Sequence, residues 1–159
     1  MTGDKVCVTL TDTYGGRLSA STKLSAAVKI LSVLARIYPE SASSLEISKE
    51  TGINASKIRK ILSMLSQSQI VESSMGHKGG FVLKKKTADI HLQEIYCSIE
   101  DRQAFYLDVV KTNGDKNQNE LRFSSFFEGL FADIQLEIEN KMKQIRLDTV
   151  MDFVLNKKK

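Results

Sequence analysis

The stretch Ser43–Leu83, SSLEISKETGINASKIRKILSMLSQSQIVESSMGHKGGFVL, limits the fold more than any other part of the chain. Ser43 and Glu46 have the spacing of a capping box, in which each side chain satisfies a free backbone amide at a helix start. Leu45 and Ile47 are expected to face a core. Gly52 permits the left-handed backbone that ends this helix, and Asn54 is placed to cap the next one. In that next helix Ile58, Ile61, Leu62 and Leu65 share one face. Ser56, Lys57, Arg59, Lys60 and Ser63 fall mostly on the other. Two helices joined by a short glycine turn follow the helix-turn-helix plan, whose second helix enters the DNA major groove.

A wing is expected next. Ile70–Ser74 and Gly80–Leu83 are short runs that bracket Met75-Gly76-His77-Lys78-Gly79. Apolar residues flanking a glycine-rich turn predict a β-hairpin, with His77 and Lys78 near its tip. Its glycines let the backbone approach a phosphate closely. Lys78 and Lys84–Lys86 are candidate phosphate contacts, which position a protein without reading sequence. The candidate DNA-binding residues are therefore Asn54, Ser56, Lys57, Arg59, Lys60, His77 and Lys78.

Charge supports this placement. Residues 22–88 hold 11 Lys/Arg against 4 Asp/Glu, whereas residues 89–159 hold 10 against 13, within an overall net charge of +4. A basic middle beside an acidic remainder suits a polyanion-binding surface confined to one region. The ordinary reading of a basic helix face is a solvated surface. The caps, turn and wing around this one argue for more.

The flanking segments supply scaffold. Residues 1–21 read as an N-terminal extension with a short alternating run at Val6, Val8 and Leu10. Residues 23–38 read as a helix with an apolar stripe of Leu24, Ala27, Val28, Leu31, Leu34 and Ile37, ended by Pro39. Residues 90–100 predict another helix, buried through Leu92, Ile95, Tyr96 and Ile99, with Cys97 well off that face. Phe105, Tyr106, Leu107, Val109 and Val110 are expected to pack, and residues 111–119 to form a polar loop. From Glu120 to about Gln144 the apolar residues Phe123, Phe127, Leu130, Ile134, Ile138 and Met142 recur in steps of three and four. That long stripe predicts a helix that pairs with a second copy of the chain. Asp148 is expected to cap a last short helix. The organisation is thus an extension (1–21), a winged helix-turn-helix (22–88) and a helical dimerisation or regulatory region (89–159). The fold class is mainly α with a small β-wing.

Several segments in this order resemble one family, the Rrf-type (Rrf-two) winged-helix regulators. Thr51–Ile58 is similar to their turn and recognition-helix start. Gly76–Leu83 is similar to a glycine-rich wing ending Gly-Gly-Tyr/Phe-x-Leu. Ile90-His91-Leu92-Gln93-Glu94-Ile95 resembles the segment after it, and Leu147-Asp148-Thr149-Val150 the short motif after the long helix. The resemblance covers roughly residues 22–155. It implies a homodimer joined by the long helices, repression or occasionally activation of transcription, and a groove-facing set at Ser56, Lys57, Arg59 and Lys60. It also allows a metabolic enzyme as partner. Several relatives hold an iron–sulfur cluster on three cysteines in the loop before the long helix. Here that loop, residues 111–119, has none, so no cluster or other cofactor is expected. Met75 stands where the family often has arginine, and Lys78 interrupts the usual Gly-Pro-Gly-Gly wing.

The expected function is a dimeric, sequence-specific regulator that binds double-stranded DNA. The alternative is a winged-helix module that binds a protein. An enzyme is not expected, because the chain shows no phosphate-binding loop, nucleophile elbow or clustered metal ligands. Two distant cysteines, Cys7 and Cys97, make no disulfide framework and suit a reducing, cytoplasmic setting. Either is a candidate redox sensor, and a small-molecule effector is the other expected kind of signal.

Overall fold

The computed structural model describes residues 20–74, 79–100 and 118–155. Helix α1 (Ala20–Ile37) is followed by α2 (Ser44–Thr51), α3 (Ala55–Gln67), strands β1 (Val71–Ser74) and β2 (Gly80–Leu83), a short 3-10 turn (Thr87–Asp89), α4 (Leu92–Ile99), α5 (Gln118–Lys143) and α6 (Leu147–Leu155). This is a mainly helical winged-helix fold with a long C-terminal helix, as expected. Residues 1–19, 75–78, 101–117 and 156–159 lie outside the described residues. The expectations for the N-terminal extension, the wing tip and Phe105–Val110 therefore lie outside them too. So does most of the expected polar loop, whose last two residues, Gln118 and Asn119, open α5 instead.

Helix α1 ends ahead of Pro39, whose ring and restricted predecessor disfavour a further helical turn. Ala27, Ile30, Leu31 and Leu34 are fully buried along it, while Leu24, Val28 and Ile37 flank that stripe half-buried. Ile47, Ile58, Ile61, Leu62 and Leu65 meet it from α2 and α3. Each fully buried Leu or Ile contributes about 1.5–3 kcal/mol relative to exposure. Leu45 departs from expectation: it is 62% exposed, because an eight-residue helix lying on α1 and α3 buries only Ile47.

The hairpin register pairs Val71 with Leu83 and Ser74 with Gly80. A left-handed Gln69 (φ 59°) turns the chain out of α3, and Ile70 anchors the turn with 0% exposure. Ala42, just ahead of α2, lies along β2 as a third pairing position. Its amide donates to the Phe81 carbonyl at 3.0 Å, and the Phe81 amide donates back at 2.9 Å. A Cβ on Gly80 would stand 2.6 Å from the carbonyl carbon and oxygen of Ala42, so this approach requires glycine.

The C-terminal part is tied into the same core. The Leu92 amide donates to the Ile145 carbonyl at 2.9 Å, and the Leu147 amide to the Ile90 carbonyl at 2.8 Å. This bridge sets Leu147 among Ile90, Ile95, Ile99 and the α1–α3 residues of the core. Asp148 is not the cap but lies inside the first turn of α6. Its carboxylate accepts from the Arg146 guanidinium and the Thr149 amide, which hold its pKa below the usual carboxylate value.

Helix α5 spans 26 residues, about 39 Å at 1.5 Å per residue. It packs against α4, and its Gln135 and Glu139 are buried and bonded to each other at 2.8 Å. Its aromatic face is uncovered: Phe123 is 67% exposed and Phe126 65%, and Leu121, Phe127 and Leu130 are exposed beside them. No helix of the described residues is long and apolar enough to cross a membrane.

Candidate nucleic-acid interface

The exposed face of α3 is set by its two ends and its buried side. At the start of α2 the Ser43 hydroxyl accepts the Glu46 amide at 3.3 Å, and the Glu46 carboxylate accepts the Ser43 amide at 2.7 Å. Gly52 (φ 70°) ends α2, its amide donating to the Ser48 carbonyl. Asn54 then caps α3, its side-chain oxygen accepting the Ser56 amide at 2.8 Å. These local devices fix the angle at which α3 leaves α2. Burial of Ile58, Ile61, Leu62 and Leu65 fixes the rotation of α3 about its own axis.

That rotation puts Ser56, Arg59, Lys60 and Ser63 in solvent, with Lys57 half-buried at the margin. Asn54 is exposed at the N-terminal end of the same face. The Arg59 guanidinium donates to the Ser44 hydroxyl at 3.2 Å, across the two helices. Sequence reasoning missed Ser44. Its position, first in α2 and adjacent to the capping Ser43, was the available signal. A face carrying two flexible cations and two hydroxyls, with the positive end of α3 beside it, can bond phosphates and base edges.

Of the three lysines after β2, Lys84 reaches the Gln69 side chain and Lys85 forms an ion pair with Glu94. Lys86 is exposed. The structure thus commits two of these candidate phosphate contacts to partners within the chain. His77 and Lys78 lie outside the described residues, as does Cys7. Cys97 is half-buried, and its sulfur accepts the Gln93 side-chain amide at 3.2 Å. It stands on α4, away from the α3 face.

Comparison with known proteins sets the chain among transcriptional regulators. Residues 20–152 match the profile of the family Rrf2, described as an iron-dependent transcriptional regulator. The chain is 31% identical over 137 residues to YwgB of Bacillus subtilis (strain 168), provisionally named an HTH-type transcriptional regulator, covering 80% of this chain and 81% of that one. A crystal structure of a protein provisionally described as DNA-binding superposes with a TM-score of 0.66 at 26% identity, covering 81% of this chain and 98% of that one. A provisionally assigned transcriptional regulator from Lactobacillus plantarum shares the fold with a TM-score of 0.73 at 21% identity, over 86% of this chain and 91% of that one.

The chain has two cysteines and two histidines. Among the described residues no three His, Cys, Asp or Glu side chains come together as a group able to hold a metal ion.

Proposed function

As the chain belongs to the Rrf2 family of transcriptional regulators, we propose that it acts as a homodimeric repressor, reading two half-sites of double-stranded DNA. The observation that carries this reading is the α3 face: Ser56, Arg59 and Lys60 stand in solvent, on a helix whose ends are both capped and whose opposite side is fully buried. Asn54, Ser56, Lys57, Arg59 and Lys60 are the groove-facing set. His77 and Lys78 of the wing contact the flanking backbone.

The homodimer is supported by the aromatic face of α5. Leu121, Phe123, Phe126, Phe127 and Leu130 form an exposed apolar run too large to leave in water. A twin helix laid against it gives a two-fold axis and pairs the two α3 helices. In this division of labour residues 22–88 read DNA and residues 89–159 pair the subunits in the cytoplasm. The inducing signal is a small ligand or oxidation of a cysteine thiol.

The test is selection of bound duplexes from a random pool by the purified protein. Two inverted half-sites support the reading. An unsymmetrical single site removes the dimer, and the absence of any enriched sequence favours a protein-binding role instead.

A further inference from the structure

A groove of about 380 Å³ runs between α1, the end of α2, and α6, on a side of the molecule that the DNA-reading face does not use. Its walls are apolar: Val28 and Val33 from α1 face Val150, Met151 and Val154 from α6. The volume falls within the range of small-molecule sites, roughly 300–1,000 Å³. The polar groups along it differ in their state. Ser32 donates to the Val28 carbonyl at 2.8 Å and Thr51 to the Ile47 carbonyl at 2.7 Å. Arg36 is neutralised by Glu50 at one end. Lys29 also lines the groove and has no ion-pair or hydrogen-bond partner among the described residues.

An exposed ammonium with no partner among the described residues, beside an apolar trough, suits an amphipathic anion. We propose that this groove binds a small monocarboxylate with an apolar body, its carboxylate on Lys29 and its chain against Val33, Met151 and Val154. A neutral molecule would gain nothing from Lys29, and a single cation not already paired matches a single negative charge. The wall contributed by Glu50 and Thr51 ends at Gly52, one turn before the recognition helix. An occupant therefore touches the element that sets the angle of α3, and the groove is an effector site. That last step rests on the DNA-binding reading, whereas occupancy of the groove does not.

Octanoate is the probe, with 1-octanol as its uncharged counterpart. The Met151 methyl resonance is followed by NMR in the DNA-free dimer, and duplex affinity is measured separately. Saturable movement of the Met151 signal by octanoate is expected, weakened about tenfold or more in Lys29→Met, as for loss of a charged hydrogen bond. Octanol binding is expected to be equal in the two proteins. Octanoate should also change duplex affinity in the wild type and not in Lys29→Met. No saturable movement overturns the site, and equal loss of octanol in Lys29→Met overturns the role of Lys29. A Met151 signal that responds to protein concentration but not to octanoate assigns the groove to a second copy of the chain, which also overturns the proposal. Binding without any change in affinity for a duplex that the protein does bind overturns the effector role. Failure to bind any duplex would instead sink the regulator reading, leaving the NMR result to stand alone.

Discussion

Gly80 runs so close to Ala42 that a single added methyl would sit 2.6 Å from the Ala42 carbonyl carbon. The three atoms nearest to it, the Ala42 carbonyl carbon and oxygen and the Ser43 nitrogen, belong to backbone, which cannot swing aside as a flexible side chain can. The approach ties the wing to the residue before the Ser43 cap, so wing and α2 are one mechanical unit. Gly80→Ala should cost about 1–3 kcal/mol, the usual range for overpacking. Urea unfolding checks this, and an unchanged midpoint would mean that the wing and the α1–α2 connection move independently.

Asn54→Ala removes the side-chain oxygen that accepts the Ser56 amide. The expected loss is about 1 kcal/mol of stability. DNA affinity should fall further than that loss explains at temperatures where both proteins are fully folded, because Asn54 is also exposed at the reading face. Equal affinity in the folded proteins would reduce Asn54 to a cap.

Arg59 is held on Ser44, which partly positions it for the DNA contact proposed for it. Arg59→Ala should weaken the selected site by about 1–3 kcal/mol and relax preference at one base position. Lys78→Ala should weaken selected and random duplexes alike, as a phosphate contact does. Competition binding against both duplexes separates these outcomes, and identical behaviour of the two variants would remove Arg59 as a base reader.

Much of the reading element was legible because its determinants are local. Ser43, Glu46, Gly52 and Asn54 act within four residues of themselves, and each does in the structure what its spacing predicts. The four buried positions of α3 follow from its period alone. Contacts made across the fold were not legible. Nothing near Gly80 in sequence announces Ala42, and the place of Ser44 beside the capping Ser43 is the only local hint that Arg59 reaches it. Leu45 was misassigned because a short helix packed on two neighbours buries less than its apolar content suggests. The aromatic stripe marks the long helix, yet the residues that this helix buries most deeply are Gln135 and Glu139. Two polar side chains that satisfy each other can be buried, and periodicity of apolar residues cannot reveal that.

The aromatic face of α5 is predicted to be covered by its twin. Phe127 sits at its centre, 5.5 Å from the ring of Phe126 and 6.0 Å from that of Phe131. Phe127→Asp should convert the dimer into a folded monomer by light scattering, with helical content retained. Affinity for a two-half-site duplex should then drop by about a hundredfold or more, as paired binding is lost. A variant that remains dimeric would place the subunit contact elsewhere.

A paired, basic α3 face that reads DNA makes affinity fall steeply with salt. A salt series with the wild-type protein and its selected duplex measures that fall. The duplex is expected to hold two inverted half-sites about 10 base pairs apart, or a multiple of that. Affinity is expected to drop roughly a thousandfold between about 50 and 200 mM salt. Binding that ignores salt, or no selectable duplex at all, would contradict this role for α3.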